Sequence, residues 1–320
     1  MNTRSITAIA VLIIVLGGVY AVTTYQGAAK IREHVQALDG DDTAAATRAI
    51  EALSGQGERV VSMVETLLTN ANPLVRSNAV MLIAMCGGPE HGQLLTPLLQ
   101  NDKDEYVRKD VTLALGRLGA KQAIPTLITV LSDEQEDLLV REGAATTLGT
   151  FEAAEATIPL LAVLAARPPV PAPAISDEEA DEAPAEVEDT TQTLRLAAAV
   201  ALGYLQSSEA VEGLAQAVDE AVEIAPSVRV AAVYALGDLA ARNEKESEQL
   251  TALEGMLLAC GDSVGDVRIA AMQSLGKVSI VPEAIQSRVA QALASAEEDT
   301  HFWVREAAKE ARSNLGLLDV

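Results

Sequence analysis

The side chains best equipped for covalent or metal chemistry are few: Cys86, Cys260, His34, His91 and His301. Cys86 and His91 are close enough in sequence to bring a thiol to an imidazole, yet no third group stands ready to orient that imidazole. The three histidines precede Val35, Gly92 and Phe302, and no zinc spacing, glycine-rich phosphate loop or nucleophile elbow occurs. Each cysteine sits within a helical pattern, far from the other, and reads as a small buried hydrophobe rather than part of a disulfide framework. The chain therefore nominates no catalytic residue, cofactor or metal ligand, and reads as a protein that is not an enzyme.

A second set of residues attracts notice by recurrence. Arg76, Arg108, Arg141, Arg195, Arg229, Arg268 and Arg305 stand in one repeated phrase, as in YVRKDVTLALGRL, TLRLAAAVALGYL and SVRVAAVYALGDL. Six residues before them stand Asn70, Asp102, Gln135, Asp189, Glu223, Asp262 and Asp299. Repeated guanidinium groups suggest anion binding, but acids at fixed phase suggest geometry instead. An acid ahead of a helix can accept its first amide hydrogens, or take the guanidinium of a neighbouring unit. The predicted outcome is a structural ladder running through Asp102, Arg108, Arg141, Asp189, Arg195, Arg229, Asp262, Arg268, Asp299 and Arg305.

The elements that must carry this ladder follow from its period. The arginines are 32–39 residues apart, with one step of 54. A period in the thirties describes stacked helical pairs, none able to bury its apolar face alone. Val228, Ala232, Leu236 and Leu239 form one helical stripe around Arg229. Alanine follows three residues after each arginine, Val111 excepted, so neighbouring helices can approach closely. Glycines 116, 149, 203, 237 and 276 fall near the end of this second helix, where a capping role is one option. A shorter first helix precedes it, as at 123–131, 157–165 and 209–218, with Pro125 and Pro159 near two of the starts, where a missing amide hydrogen costs little.

The Asp-x5-Arg and Val-Arg-x2-Ala-x3-Leu-Gly phrases, as in 102–116 and 262–276, resemble the HEAT family, specifically the bacterial HEAT-like repeats of phycobilin lyase subunits. The resemblance covers about residues 43–316. It implies an all-α, right-handed α-solenoid of helical-hairpin repeats, and a curved surface for protein binding. A diiron hydroxylase of the same architecture would need several His-Glu pairs, which this chain lacks. Residues 43–70 read as an N-terminal cap, and Arg312, where a leucine is due, suits an exposed last helix.

Two segments depart from the repeat. Residues 6–22 are almost wholly apolar and would span about 25 Å as a helix. An N-terminal hydrophobic helix through residues 6–25 is expected to anchor the chain in a membrane, with the solenoid on the translocated side, or to be removed as a signal from a secreted protein. Residues 167–190 hold five prolines and eight acids, Asp177, Glu178 and Glu179 among them, and read as a disordered, solvated insertion that the fold tolerates, the functional alternative being a lure for a basic partner or weak cation binding. The expected organisation is an anchor or signal at 1–29, repeats at 30–166, the insertion at 167–190 and repeats at 191–320.

Charge narrows the partners. Forty-six acidic against 23 basic residues give a formal net charge of −23, which repels nucleic acid and favours basic proteins. Tyr106, Phe302 and Trp303 stand just ahead of two repeat arginines, as packing groups or as anchors for a partner. The functional expectation is a membrane-tethered, non-catalytic scaffold that holds another protein on a curved acidic surface. Its alternatives are a lyase-like subunit handling a chromophore, which would want aromatic walls and basic groups for carboxylates, and a passive structural protein of the envelope.

Overall fold

The computed structural model describes residues 29–38, 43–166, 189–242 and 245–316, and no strand occurs among them. The chain divides into two compact units, Met1–Ala123 and Ile124–Val320. In the first lie α1 (29–38), α2 (Thr43–Leu53), α3 (Glu58–Val64), α4 (Pro73–Cys86), α5 (Gly92–Asn101) and α6 (Glu105–Leu118). Helix α4 packs against α2, α3 and α6, and α5 packs against α6.

The second unit holds α7 (Ile124–Ser132), α8 (Leu138–Thr150), α9 (Thr157–Ala165), α10 (Gln192–Leu205), α11 (Ala210–Gln216), α12 (Pro226–Arg242), α13 (Glu246–Ala259), α14 (Gly265–Leu275), α15 (Glu283–Ala296) and α16 (Phe302–Asn314). Each odd-numbered helix packs on the even-numbered helix that follows it, and each row packs along itself, α7 to α15 on one side and α8 to α16 on the other. This is a two-layered stack of hairpins, in which the apolar stripe of every helix is covered by its partner and its neighbours. Val228, Ala232, Leu236 and Leu239 are all buried along α12, as the stripe requires.

Local signals start and stop these helices. Asn72 Oδ1 accepts the Leu74 amide at 3.0 Å ahead of α4, with Pro73 at the first helical position. Asp104 Oδ1 accepts the amides of Tyr106 and Val107 at 3.1 Å each ahead of α6, and Asp137 Oδ1 accepts that of Leu139 at 2.8 Å ahead of α8. Gly119, at φ 68°, closes α6 in the left-handed conformation.

The repeat glycines serve another purpose. A Cβ on Gly149 would lie 2.8 Å from Ala201 Cα, one on Gly237 2.6 Å from Ser274 Cβ, and one on Gly276 3.1 Å from Ala311 Cα. Each lets an even-numbered helix approach the next one closely, which a methyl group would prevent.

The expected localisation is corrected. Among the described residues no helix is long and apolar enough to cross a membrane. The longest, α12, has 17 residues and carries Arg229, Asp238 and Arg242. The expected N-terminal hydrophobic helix, residues 6–25, lies outside the described residues, so neither a membrane anchor nor a translocated solenoid is carried further. The acidic stretch with Asp177, Glu178 and Glu179 also lies outside them. Its position in the chain falls between α9 and α10, two helices that pack together as one hairpin.

Candidate functional site

The repeat arginines are the largest polar groups drawn into the stack, and their geometry repeats. Arg76 donates through Nε and Nη2 to Asp102 at 2.7 and 2.6 Å, Arg229 to Asp262 at 2.7 and 2.9 Å, and Arg268 to Asp299 at 2.8 and 3.0 Å. In each the remaining Nη1 donates to the carbonyl six residues earlier, that of Asn70, Glu223 or Asp262 at 2.8–2.9 Å. The carboxylate also accepts the amide two residues further on: Asp104 N to Asp102 at 3.0 Å, Val264 N to Asp262 at 2.8 Å, His301 N to Asp299 at 2.7 Å. The acid thus braces the turn between its own two helices and receives the arginine of the preceding pair. It is not the N-cap of the second helix; in α6 that is Asp104, two residues later.

Four rungs depart from this form. Arg195 is only 1% exposed and is held by two carboxylates, Glu223 at 2.8 and 2.9 Å and its own turn's Asp189 at 3.1 and 2.6 Å. Burial works against its charged form, but the two acids outweigh this and raise its pKa above the ordinary value. Arg141, whose turn carries Gln135 in place of the acid, donates instead to the Leu131 carbonyl at 3.0 Å. Arg305 donates to the Asp299 carbonyl at 2.8 Å, with its guanidinium 5.7 Å from the Phe302 ring centroid. Arg108 donates to the Asp102 carbonyl at 2.8 Å.

The nucleophile pair weighed in the sequence does not assemble. Cys86 Sγ lies 3.6 and 3.7 Å from the carbonyls of Leu53 and Ser54, and burial pushes its pKa up. Burial pushes the Cys260 thiol up to about 12. His91 joins Glu58 and Glu90, their donor atoms all within 4.8 Å of one another. Its Nδ1, however, accepts the Gly88 amide at 3.0 Å, so in the neutral ring Nε2 carries the proton and has no lone pair for a metal. His91 closes a turn.

A continuous run of clefts opens on the outer face of α8, α10, α12 and α14. The α8–α10 cleft, of about 640 Å³, is floored by Gly149, Ala197 and Ala201, walled by Leu196, Val200 and Tyr204, and edged by Glu142 and Glu152. Val200 is 44% and Tyr204 59% exposed, so the walls of this cleft are open to solvent. Between α10 and α12 the face continues through Val230 and Tyr234 to Asp238, and between α12 and α14 to Asp266 and Ile269. Lys277 Nζ lies 2.9 Å from Asp238 and 5.4 Å from the Tyr234 ring centroid. In the first unit the corresponding helices α4 and α6 expose Leu74, Met81, Tyr106 and Leu113.

Residues 31–116 and 93–173 match the family described as HEAT repeats, and residues 194–220 match the PBS lyase HEAT-like repeat. The chain belongs to the HEAT-repeat family. Among solved structures this HEAT-repeat protein is similar to YibA of Escherichia coli (TM-score 0.58, 13% identity, covering 91% of this chain and 96% of that one). It is also similar to the karyopherin Kap121p, solved bound to the extreme C-terminus of the protein phosphatase Cdc14p (0.52, 15%, 90% and 33%). A lower overlap, at TM-score 0.46, 19% identity and coverage of 81% and 94%, relates it to the complex of CpcE and CpcF of phycocyanin lyase from Nostoc. No curated protein matches its sequence.

The HEAT-repeat chain therefore carries its aromatic candidates in two places. Tyr106 is exposed in the first unit; Phe302 and Trp303, 52% and 63% exposed, meet edge to face at 5.0 Å at the start of α16. The stripe of Leu196, Val200, Tyr204, Val230, Tyr234 and Ile269 was not singled out from the sequence. Its signal was available: these residues stand one, five or nine positions after a repeat arginine, where an exposed helix face is due.

Proposed function

We propose that this HEAT-repeat protein is a non-catalytic scaffold that binds another protein along the α8–α14 face, and that the partner is basic. The observation that carries the reading is the contiguous apolar stripe from Leu196 to Ile269, exposed at Val200 and Tyr204 and half-buried elsewhere, with carboxylates at its edges. Exposed apolar groups lining connected clefts with a polar rim are the ordinary anatomy of a protein-binding surface. The chromophore-handling alternative is less suited to this face, because Glu142 and Glu152 would repel the carboxylates of such a ligand.

The test is affinity capture of cross-linked partners by full-length protein, with Val200→Glu and Tyr234→Glu compared beside the parent. A near-stoichiometric partner captured by the parent and lost from both variants, with thermal unfolding unchanged, is the expected result. Capture that survives both substitutions, or no partner at all, overturns the reading.

A further inference from the structure

We propose that the α8–α10 cleft takes an amphipathic basic segment of the partner, its apolar side chains seated over Gly149 and Ala201 and its lysines or arginines paired with Glu142 and Glu152. The inference rests on the protein-binding reading of this face and specifies what occupies it.

The floor selects for an apolar group. Gly149 and Ala201 are buried, and as a glycine and an alanine they bring no polar side-chain atom to the floor. Two of the three threonines at the edge have their hydroxyl hydrogens engaged, Thr146 Oγ1 donating to the Glu142 carbonyl at 2.9 Å and Thr150 Oγ1 to that of Thr146 at 3.0 Å, which leaves Thr193 as the one exposed hydroxyl lining the cleft. At about 640 Å³ the space is that of a side-chain-binding cleft rather than a surface dimple.

The rim selects for positive charge. Among the described residues neither the Glu142 nor the Glu152 carboxylate makes an ion pair, whereas Asp238 in the adjoining cleft has Lys277. That lysine shows what the face accepts: its ammonium group sits between a carboxylate and the ring of Tyr234. The α8–α10 cleft offers a similar pair in Glu152 and Tyr204, with no lysine of this chain lining it.

Glu152 is placed there against backbone preference. It holds φ 53°, in the left-handed region, at the helix end where α6 uses Gly119 at φ 68°. Gln206 at φ 53° shows that the fold tolerates a side chain at this point, but glycine would adopt the conformation without strain.

The probe is a fluorescein-labelled amphipathic helix of leucine and lysine, titrated into full-length protein at physiological ionic strength and followed by anisotropy. A serine–lysine peptide of equal charge and a leucine–glutamate peptide serve as comparisons. The leucine–lysine peptide is expected to bind, the other two not. Glu142→Gln/Glu152→Gln is expected to weaken it about fivefold, the worth of two partly exposed ion pairs. Removing two exposed acids elsewhere, Glu212→Gln/Glu283→Gln, should leave it unchanged.

Equal binding of the serine–lysine peptide, or equal loss in the two double variants, means diffuse attraction to an acidic chain and overturns the proposal. Face-dependent capture of a partner with no peptide binding discards the occupant while keeping the surface. Capture insensitive to the face variants discards the surface itself.

Discussion

At the scale of single residues, the arginine is the side chain whose chemistry is easiest to misread. Arg229 is 2% exposed, spends its fork on Asp262 and its last amino group on two carbonyls, and has no face left for a ligand. Removing one partner of such a pair leaves an uncompensated buried charge. Arg229→Ala is expected to lower stability by about 3 kcal/mol or more, read from urea unfolding, without altering partner capture by the α8–α14 face. Arg229→Lys should recover only part of this, since an ammonium cannot make the two parallel bonds to Asp262. Unchanged unfolding together with lost capture would reassign the arginines to binding.

At the scale of helices, spacing is set by the smallest side chains. The glycine of one even-numbered helix meets a small residue of the next: Gly149 with Ala201, Gly203 with Ala235, Gly237 with Ser274, Gly276 with Ala311. Ser274 is the exception in type, and among the described residues its buried hydroxyl has no hydrogen-bond partner. Alanine is the better helix former by roughly 1 kcal/mol, so a glycine without a packing duty would gain from replacement. Gly149→Ala should do the opposite, because its methyl group would meet Ala201 backbone at 2.8 Å. A net loss of about 1–3 kcal/mol in thermal unfolding is expected, and a gain would show that the helices can part at no cost.

Across the whole molecule, acidity bears on stability as well as on binding. Hydrogen bonds from Arg195 hold Asp189 below the usual carboxylate range, and those from Arg268 do the same for Asp299. Burial works to raise Asp102, but its bonds from Arg76 and the Asp104 amide bring the net shift down. A carboxylate whose folded pKa is depressed binds protons more readily when unfolded. The stability it contributes is complete above the unfolded value and is lost as pH falls through the folded one. Urea midpoints should therefore hold to about pH 4 and fall steeply below it. Asp299→Asn should lower the midpoint at neutral pH and flatten that fall; an unaltered acid limb would place the sensitivity elsewhere.

The repeat was legible in the chain because its causes are local and periodic. An apolar stripe, an arginine with an acid six residues ahead and a small residue at fixed phase recur often enough to specify stacked helical pairs. Which carboxylate each arginine would take was not legible, since Arg229 meets Asp262, 33 residues away, only after two pairs have stacked. The glycines were open to a capping reading for the same reason: close approach between helices is a property of neighbours, invisible in one phrase. The candidate site was the least legible part. Leu196, Val200 and Tyr204 differ in sequence from their buried neighbours Leu194, Ala198 and Leu202 only in their phase relative to Arg195, and it is the packing that leaves the face they share uncovered beside Glu142 and Glu152. A helix's periodicity tells which residues share a face; only the stack determines which face is left uncovered.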